Sequence, residues 1–241
     1  MIMLIDAGRL DYAALNDAVR RSGADCRILH CLGQRFIGAG LSERQITIEG
    51  VPGNALGAYL NGAELCVHGN AQDAVGDTMN AGRIVIHGSV GDAAGYAMRG
   101  GEIFVRDNAG YRTGIHMKAY GDTQPLLVIG GRVGSFLGEY LAGGLILVLG
   151  LHQDGKPIVS NYPGTGMHGG RMILRSDCEG ILFPSQVACH RASGAELAEI
   201  EAHVQTYCQL FRTDPGPILD APFTVVTPNS SSPYRQMYVA N

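Results

Sequence analysis

The chain has 241 residues, 46% of them hydrophobic and 17% charged, which excludes a disordered protein and predicts a globular one. Its net charge of −4 argues against nucleic-acid binding, because contacts to phosphate require a basic surface. The sequence has no apolar run long enough to span a membrane and no signal-peptide pattern, so we expect a cytoplasmic protein.

Residues 1–32 are predicted to form an N-terminal cap that contains one helix, over residues 11–22. Asp11 is a suitable N-cap for this helix. Gly23 is a suitable end, because glycine adopts the left-handed conformation that closes many helices.

Six cysteines are scattered without a CxxC pair, and we interpret them as free thiols in a reducing compartment. Cys26 and Cys31, with the adjacent His30, resemble half of a metal clip. Their spacing suits few metal sites and the second half of a ligand set is missing, so we expect no metal there.

A 19-residue repeat organises residues 33–180 and is clearest from Ile46 onward. The first and third residues of each repeat are apolar and mostly β-branched, which predicts a short strand with one buried face. Stacked strands of this kind predict an all-β fold, a right-handed parallel β-helix of about seven coils with flanking N- and C-terminal helices. The paired positions are Ile46 and Ile48, Leu65 and Val67, Ile84 and Ile86, Ile103 and Val105, Leu127 and Ile129, and Ile146 and Val148.

Glycine fills further columns of the repeat and excludes helical repeats, because each interior glycine costs a helix about 1 kcal/mol relative to alanine. The fifth position is interpreted as a left-handed turn that aspartate also tolerates: Gly50, Gly69, Gly88, Asp107, Gly131 and Gly150. A second column contains glycine throughout: Gly57, Gly76, Gly95, Gly114 and Gly138.

Two insertions interrupt the spacing, one near residues 120–125 and one at GTGMHGG, residues 164–170. Equivalent residues of successive coils are expected to lie above one another. Met79, Met98 and Met117 then form a column inside the coil, where packing rather than ligand binding is expected.

The fourth position of the repeat is predicted to face outward. Early coils place a polar ladder there, whereas Val128, Leu147 and Leu149 make the same face apolar in the later coils. We expect the later face to be covered by the chain's own tail or by a partner. The fourth-position residues are Glu49, His68, His87, Arg106, Gly130 and Leu149.

Residues 181–241 are predicted to form a C-terminal helix and an extended arm. Ser193 and Glu196 have the spacing of a capping box, and the helix that follows is expected to cover the last coils. We interpret residues 213–241 as an arm that reaches a neighbouring subunit. The apolar stripe of the helix contains Leu197, Ile200, Val204, Cys208 and Phe211.

Histidines supply the strongest candidates for chemistry. His68 and His87 are expected to stack about 5 Å apart on consecutive coils, but no third metal ligand is evident from the sequence. His116 and His168 lie beside the insertions and are the best catalytic candidates. No nucleophile or carboxylate is arranged around either of them.

Carboxylates and cysteines give weaker signals. Asp73, Asp77 and Asp92 are the only candidates for a sugar-active carboxylate cluster, and we interpret them as structural turn residues. Cys189 and His190 are adjacent only in sequence. We therefore predict no catalytic, cofactor-binding or metal-binding residue in this chain.

Several motifs resemble the GXGXG domain of glutamate synthase, the β-helix at the C-terminus of its large subunit. The resemblance lies in GNAQDAVGDTMNAGRIVIHG, GDAAGYAMRGGEIFVR, GEYLAGGLILVLG and GTGMHGG, covers about residues 33–176, and continues more weakly in PFTVVTPNSSSPYRQMY. In that family the domain is a structural spacer that holds no cofactor. No cysteine follows Met1, so an N-terminal-nucleophile amidotransferase is not expected.

The resemblance implies a non-catalytic scaffold subunit of a glutamate synthase or N-methylglutamate synthase complex. The partners implied are a class II glutamine amidotransferase-like subunit and an FMN-binding subunit with an iron–sulfur cluster; self-association of the chain stays open. One of the subunits of formylmethanofuran dehydrogenase, and its counterpart in the formyltransferase/hydrolase complex, share the repeat and are the alternative. A free-standing β-helix enzyme or binding protein is a third interpretation.

Overall fold

The structure is a computed structural model that describes residues 2–152 and 155–229. No helix in these ranges is long and apolar enough to span a membrane. The elements, in chain order, are β1 (Met3–Asp6), α1 (Tyr12–Ser22), β2 (Cys26–Leu32), β3 (Gln45–Val51), β4 (Asn61–His68), β5 (Ala81–Ile86), β6 (Glu102–Val105), β7 (Leu126–Ile129), β8 (Ala142–Val148), β9 (Gly169–Leu174), β10 (Val187–Arg191), α2 (Ala195–Phe211), α3 (Gly216–Leu219) and β11 (Thr224–Pro228).

The strands form one sheet in which β1 to β9 are parallel and follow one another in chain order. Ile46 pairs with Leu65 and Ile84 with Ile103, in register at the 19-residue step. This register confirms the predicted parallel β-helix. The ladder starts before residue 33, because β1 pairs with β2 and β2 with β3 at longer and unequal steps.

The interior of the coil is filled by the predicted apolar columns. Ile48, Ile84 and Ile103 have no exposed surface, and Met79 and Met98 are equally buried in a second column. These columns form one continuous core from β1 to β9. Packing therefore accounts for the methionines without any ligand role.

The segment that follows each strand alternates into the left-handed region. In one coil the residues with positive φ are Ala55, Gly57 and Tyr59. The Gly57 N–H donates to the Ile37 carbonyl of the preceding coil at 2.8 Å, and the Tyr59 N–H donates to Asp77 of the following coil at 2.7 Å. The conformation thus lets one segment hydrogen-bond to both neighbours, which satisfies its buried backbone groups.

Only the middle residue of this segment must be glycine. A Cβ on Gly57 would lie 2.6 Å from Cδ1 of Ile84, so the core leaves no room for it. The flanking positions carry Ala, Thr, Tyr or His with positive φ in other coils, so this conformation was not visible from the sequence.

The interpretation of the fifth position of the repeat needs correction. Gly88, Asp107 and Gly131 all lie outside the left-handed region, so tolerance of that conformation does not explain Asp107. A Cβ on Gly88 would instead lie 2.6 Å from the carbonyl oxygen of Gly69. Close approach between coils is the main reason for glycine at Gly88.

The first insertion is where it was predicted, but the second is not. Glu102 pairs with Leu126, which makes that coil 24 residues long, and Tyr120 and Thr123 close a small turn there. Ile146 pairs with Met172, 26 residues on, yet Val133 already pairs with Val159 at the same step. The seven extra residues therefore precede Val159, and GTGMHGG is a regular part of the coil.

The N-terminal helix matches its prediction. Asp11 Oδ1 accepts a hydrogen bond from the Ala14 N–H at 2.8 Å, and Gly23 ends the helix with φ of 60°. At α2 the predicted capping box forms only in part. Glu196 accepts from the Ser193 N–H at 3.2 Å, but Gly194 is the N-cap and no side chain caps the helix.

The chain's own tail covers the later outer face, which settles one of the two predicted alternatives. Val128, Leu147 and Leu149 are fully buried against the buried side of α2, where Ile200 and Val204 lie. Tyr207, absent from the predicted stripe, is buried there too, whereas Leu197 is 46% exposed.

The arm predicted at residues 213–241 folds back onto the chain over its described part. It contains α3 and then β11, which pairs antiparallel with both β9 and β10. The chain's own sheet, and not a neighbouring subunit, thus binds residues 224–228. Residues 230–241 lie outside the described residues.

Candidate functional site

The polar ladder of the early coils brings two histidines together. Glu49 is paired with His68 across β3 and β4, and His87 follows on the next coil. The rings of His68 and His87 stack with centroids 4.8 Å apart and planes 27° apart. This spacing equals the separation of neighbouring strands, as the repeat predicted.

A cysteine joins the two histidines, which was not predicted from the sequence. Cys66 precedes His68 by two residues, and alternation along a strand puts both on the outer face. Sγ of Cys66 lies 3.9 Å from Nε2 of His68, and one ligand atom from each of Cys66, His68 and His87 lies within 4.8 Å of the others. The period-two rule applied to β4 would have found the third ligand.

The cluster opens into a cleft of about 500 Å³ at the C-terminal end of α2. The edge of Phe211 packs against His87 with ring centroids 5.2 Å apart, and Arg212 follows at the end of the helix. The guanidinium of Arg106 also lines the cleft and donates to both carboxylate oxygens of Asp107 at 3.0 and 2.9 Å. The site is thus a surface cleft with two cationic side chains.

The electrostatics of the cluster differ between its members. Burial lowers the pKa of His87, and the neighbouring His68, Arg106 and Arg212 lower it further. Its imidazole therefore stays neutral near pH 7 and keeps a free electron pair. Burial raises the pKa of the Cys66 thiol, so it is protonated at that pH without a cation to stabilise the thiolate.

A second surface is built from exposed aromatic side chains on the turn segments. Tyr111, Phe136 and Tyr162 form one row with ring centroids 5.3 and 5.1 Å apart, and Arg112 lies 4.9 Å over the ring of Tyr111. Arg112 also pairs with the buried carboxylate of Glu139 at 2.8 Å. We call Tyr111, Phe136 and Tyr162 the aromatic row.

The two histidines predicted as catalytic candidates lie on turn segments. His116 stacks on Tyr140 with centroids 5.0 Å apart and meets the ring of Tyr96 edge-on at 6.1 Å. Nδ1 of His168 lies 3.1 Å from the carbonyl oxygen of Gly166. The contacts of both rings are to aromatic or backbone groups of the coil.

The three aspartates act on the backbone of the coil. Oδ1 of Asp73 accepts from the Asp92 N–H at 2.9 Å, and Oδ1 of Asp92 accepts from the Tyr111 N–H at 2.8 Å. Asp77 accepts from the Thr78 hydroxyl at 2.7 Å. These bonds link one coil to the next or close a turn, as the turn interpretation expects.

The remaining cysteine and histidine candidates have separate surroundings. Cys26 and Cys31 are buried in β2, whereas His30 bonds Asp6 at 3.0 Å on the surface. His190 bonds Glu196 at 2.8 Å, which lowers the pKa of that carboxyl group. The described residues contain one group with metal-ligand spacing, and it is the cluster of Cys66, His68 and His87.

Comparisons with known proteins agree with this architecture. The uncharacterized protein MJ1350 of Methanocaldococcus jannaschii is 38% identical over 250 residues, which cover 98% of this chain and 96% of that protein. A chain in the X-ray crystal structure of the formyltransferase/hydrolase complex (FhcABCD) from Methylorubrum extorquens, in complex with methylofuran, has a TM-score of 0.63 at 18% identity, over 91% of each chain. That likeness shows a shared fold.

The family model described as "GXGXG motif" matches residues 11–227. The matched range contains the coils from β2 onward, the turn segments with their central glycine, α2 and most of β11. This chain belongs to the GXGXG motif family.

Proposed function

We propose that the chain is a non-catalytic scaffold subunit of a glutamate-synthase-like, FMN-dependent amidotransferase complex, such as glutamate synthase or N-methylglutamate synthase. The match to the GXGXG motif family over residues 11–227 is the observation that carries this proposal. Nearly all of the chain has the architecture that serves as a spacer in the larger enzyme. Catalysis then belongs to an amidotransferase-like subunit and to a subunit with FMN and an iron–sulfur cluster.

The exposed aromatic row supports a role in assembly. Tyr162 is 62% exposed and Tyr111 is 37% exposed, although both are large and partly apolar. Aromatic side chains and arginine are enriched at protein interfaces, and Arg112 packs on this row. We infer that a partner subunit covers the row.

The alternative is a scaffold role in a formyl-transferring complex. The solved formyltransferase/hydrolase complex contains a chain with this fold, which supports the alternative at the level of fold. The two candidates predict different partners, so the identity of the co-purifying chains distinguishes them.

Purification of the untagged protein from its native cells tests the proposal. We expect it to co-elute with a flavoprotein and an amidotransferase-like chain. Co-elution with a molybdenum or tungsten protein, or with an amidohydrolase-like chain, would support the alternative instead. A monomer that turns over a substrate by itself would contradict both.

The aromatic row gives a sharper test of the interface. Replacing Tyr111 and Tyr162 by serine should lower the affinity for the partner by at least about tenfold, because buried aromatic anchors often contribute more than 1 kcal/mol each. Leu197→Ser is the control, since Leu197 is exposed on α2. Equal losses in both variants would show that the row is not the interface.

A further inference from the structure

We propose that Cys66, His68 and His87 bind one thiophilic transition-metal ion, with Zn²⁺ the best fit, on the outer face of the early coils. The three residues come from two neighbouring strand segments of the same sheet. The β-helix fixes their backbones, so the ligand set does not depend on a loop.

The distances suit a metal after small side-chain rotations. In a tetrahedral zinc site with bonds of about 2.0–2.3 Å, ligand atoms lie roughly 3.3–3.8 Å apart. The three atoms here lie within 4.8 Å of one another, so each has to move by about 1 Å or less. His68 is exposed and the other two are half-buried, which leaves room for such rotations.

The donor types select the class of metal. One thiolate and two imidazoles favour Zn²⁺, Cu⁺ or Co²⁺ over Mg²⁺ and Ca²⁺, which prefer oxygen ligands. The neutral imidazole of His87, held by the edge of Phe211, needs no proton loss before it binds. Three protein ligands leave the fourth position open toward the cleft at the end of α2.

Nearby charges act in both directions. The carboxylate of Glu49 lies on the preceding coil and favours a cation, although it also pairs with Arg27 at 2.9 Å. Arg106 and Arg212 line the cleft and oppose one, but Asp107 partly neutralises Arg106. Arg106→Gln should therefore bind the metal severalfold more tightly than the wild type, which a structural role of the cluster would not produce.

Cobalt and zinc binding to the untagged, metal-free, full-length protein test the proposal. We expect one equivalent of Co²⁺ to give a thiolate-to-cobalt charge-transfer band that Zn²⁺ abolishes. Cys66→Ser should remove the band, and His68→Gln and His87→Gln should each weaken binding by more than about tenfold, because changes in surrounding groups alone cost about 10–100-fold. The matched controls are Cys189→Ser and His116→Gln, an exposed cysteine and an exposed histidine outside the cluster.

Alkylation of the wild-type protein guards against variants that fail to fold. Zn²⁺ should slow the reaction of Cys66 with iodoacetamide, followed by peptide mass spectrometry, and should leave the rate at Cys189 unchanged. A charge-transfer band that survives in Cys66→Ser would overturn the proposal. So would the absence of the band in the wild type, or equal protection of both cysteines.

Discussion

The outer face of the sheet has two parts with the same backbone and opposite chemistry. In the early coils its residues are polar or half-exposed, such as Thr47, Cys66 and His68. In the later coils the equivalent positions hold Val128 and Leu147, which are fully buried under α2. The difference shows that the repeat determines the inside of the coil and leaves the outside free to specialise.

The transition between the two parts occurs where α2 ends. The Tyr207 hydroxyl donates to the Arg106 carbonyl at 2.8 Å, and the glycine at Gly130 leaves the space that this hydroxyl fills. One turn later Phe211 packs against His87. The C-terminal end of the helix that covers the later part thus forms one wall of the cleft beside the proposed metal ligands.

The largest effect is expected from a charge placed under the helix. Leu147→Asp should lower the free energy of unfolding by more than about 4 kcal/mol, because it removes a packed side chain and buries a carboxylate without a partner. Thr47→Asp is the matched control, since Thr47 occupies the same column on the half-exposed early part. Urea unfolding of both variants measures the difference. Similar losses would mean that α2 does not protect the later face.

A feature common to both parts comes next. Gly57→Ala should lower the free energy of unfolding by about 2–4 kcal/mol, because it combines a left-handed conformation with an overpacked core. The added Cβ would lie 2.6 Å from Cδ1 of Ile84. Gly23→Ala separates the two causes, since Gly23 has φ of +60° but no atom within 4 Å of the added Cβ.

If Gly23→Ala costs as much as Gly57→Ala, backbone conformation alone explains the glycine column. A cost near 1 kcal/mol at Gly23, with a larger cost at Gly57, supports the role of core packing. Thermal or urea unfolding of the two variants under identical conditions gives this comparison directly.

The sequence predicts the inside of this molecule far better than its outside. Ile46, Leu65 and Ile84 recur at a fixed spacing because each must pack on its equivalent one coil away, so periodicity alone reveals the fold. The early strands escaped notice because Cys26 and Ile46 are paired at a step other than 19. The second insertion was misplaced because glycine pairs alone do not establish the register.

The outside depends on contacts between distant segments, which no local pattern records. Tyr207 meets Arg106 across 101 residues of sequence, and its buried hydroxyl was not predicted for that reason. Cys66 was different, since alternation along β4 puts it beside His68. That part of the candidate site could be read from the sequence.

The boundary between the two parts gives a pH-dependent prediction. Tyr207→Phe leaves the Arg106 carbonyl without its hydroxyl partner and should cost about 1–2 kcal/mol at pH 8. Burial raises the pKa of Tyr207 above its ordinary value of 10.0, with smaller contributions from Asp107 and Cys208. The folded state therefore favours the neutral phenol.

Above pH 10 the tyrosine ionises in the unfolded chain while it stays neutral in the folded one, so the wild type loses stability as the pH rises. The loss approaches about 1.4 kcal/mol per pH unit for this one group, and Tyr207→Phe lacks it. Urea unfolding at pH 8, 10 and 11 should show the two proteins converging. Tyr120→Phe is the control, because Tyr120 is 70% exposed, and its difference from the wild type should not change with pH.

The smallest effect concerns the ion pair that links α2 to the coil. Arg171 donates two hydrogen bonds to Glu199 at 2.8 Å each, yet both side chains are about one third exposed. Solvent screening limits such a pair to roughly 0.3–1 kcal/mol, so Glu199→Gln should destabilise α2 only slightly. Glu102→Gln removes the comparable pair with Arg83 within the coil and is the control. Hydrogen exchange of α2 amides should increase in Glu199→Gln alone, and 1 M salt should remove that increase; an equal increase in both variants would show that the apolar contacts under α2, and not this pair, determine how often the helix detaches.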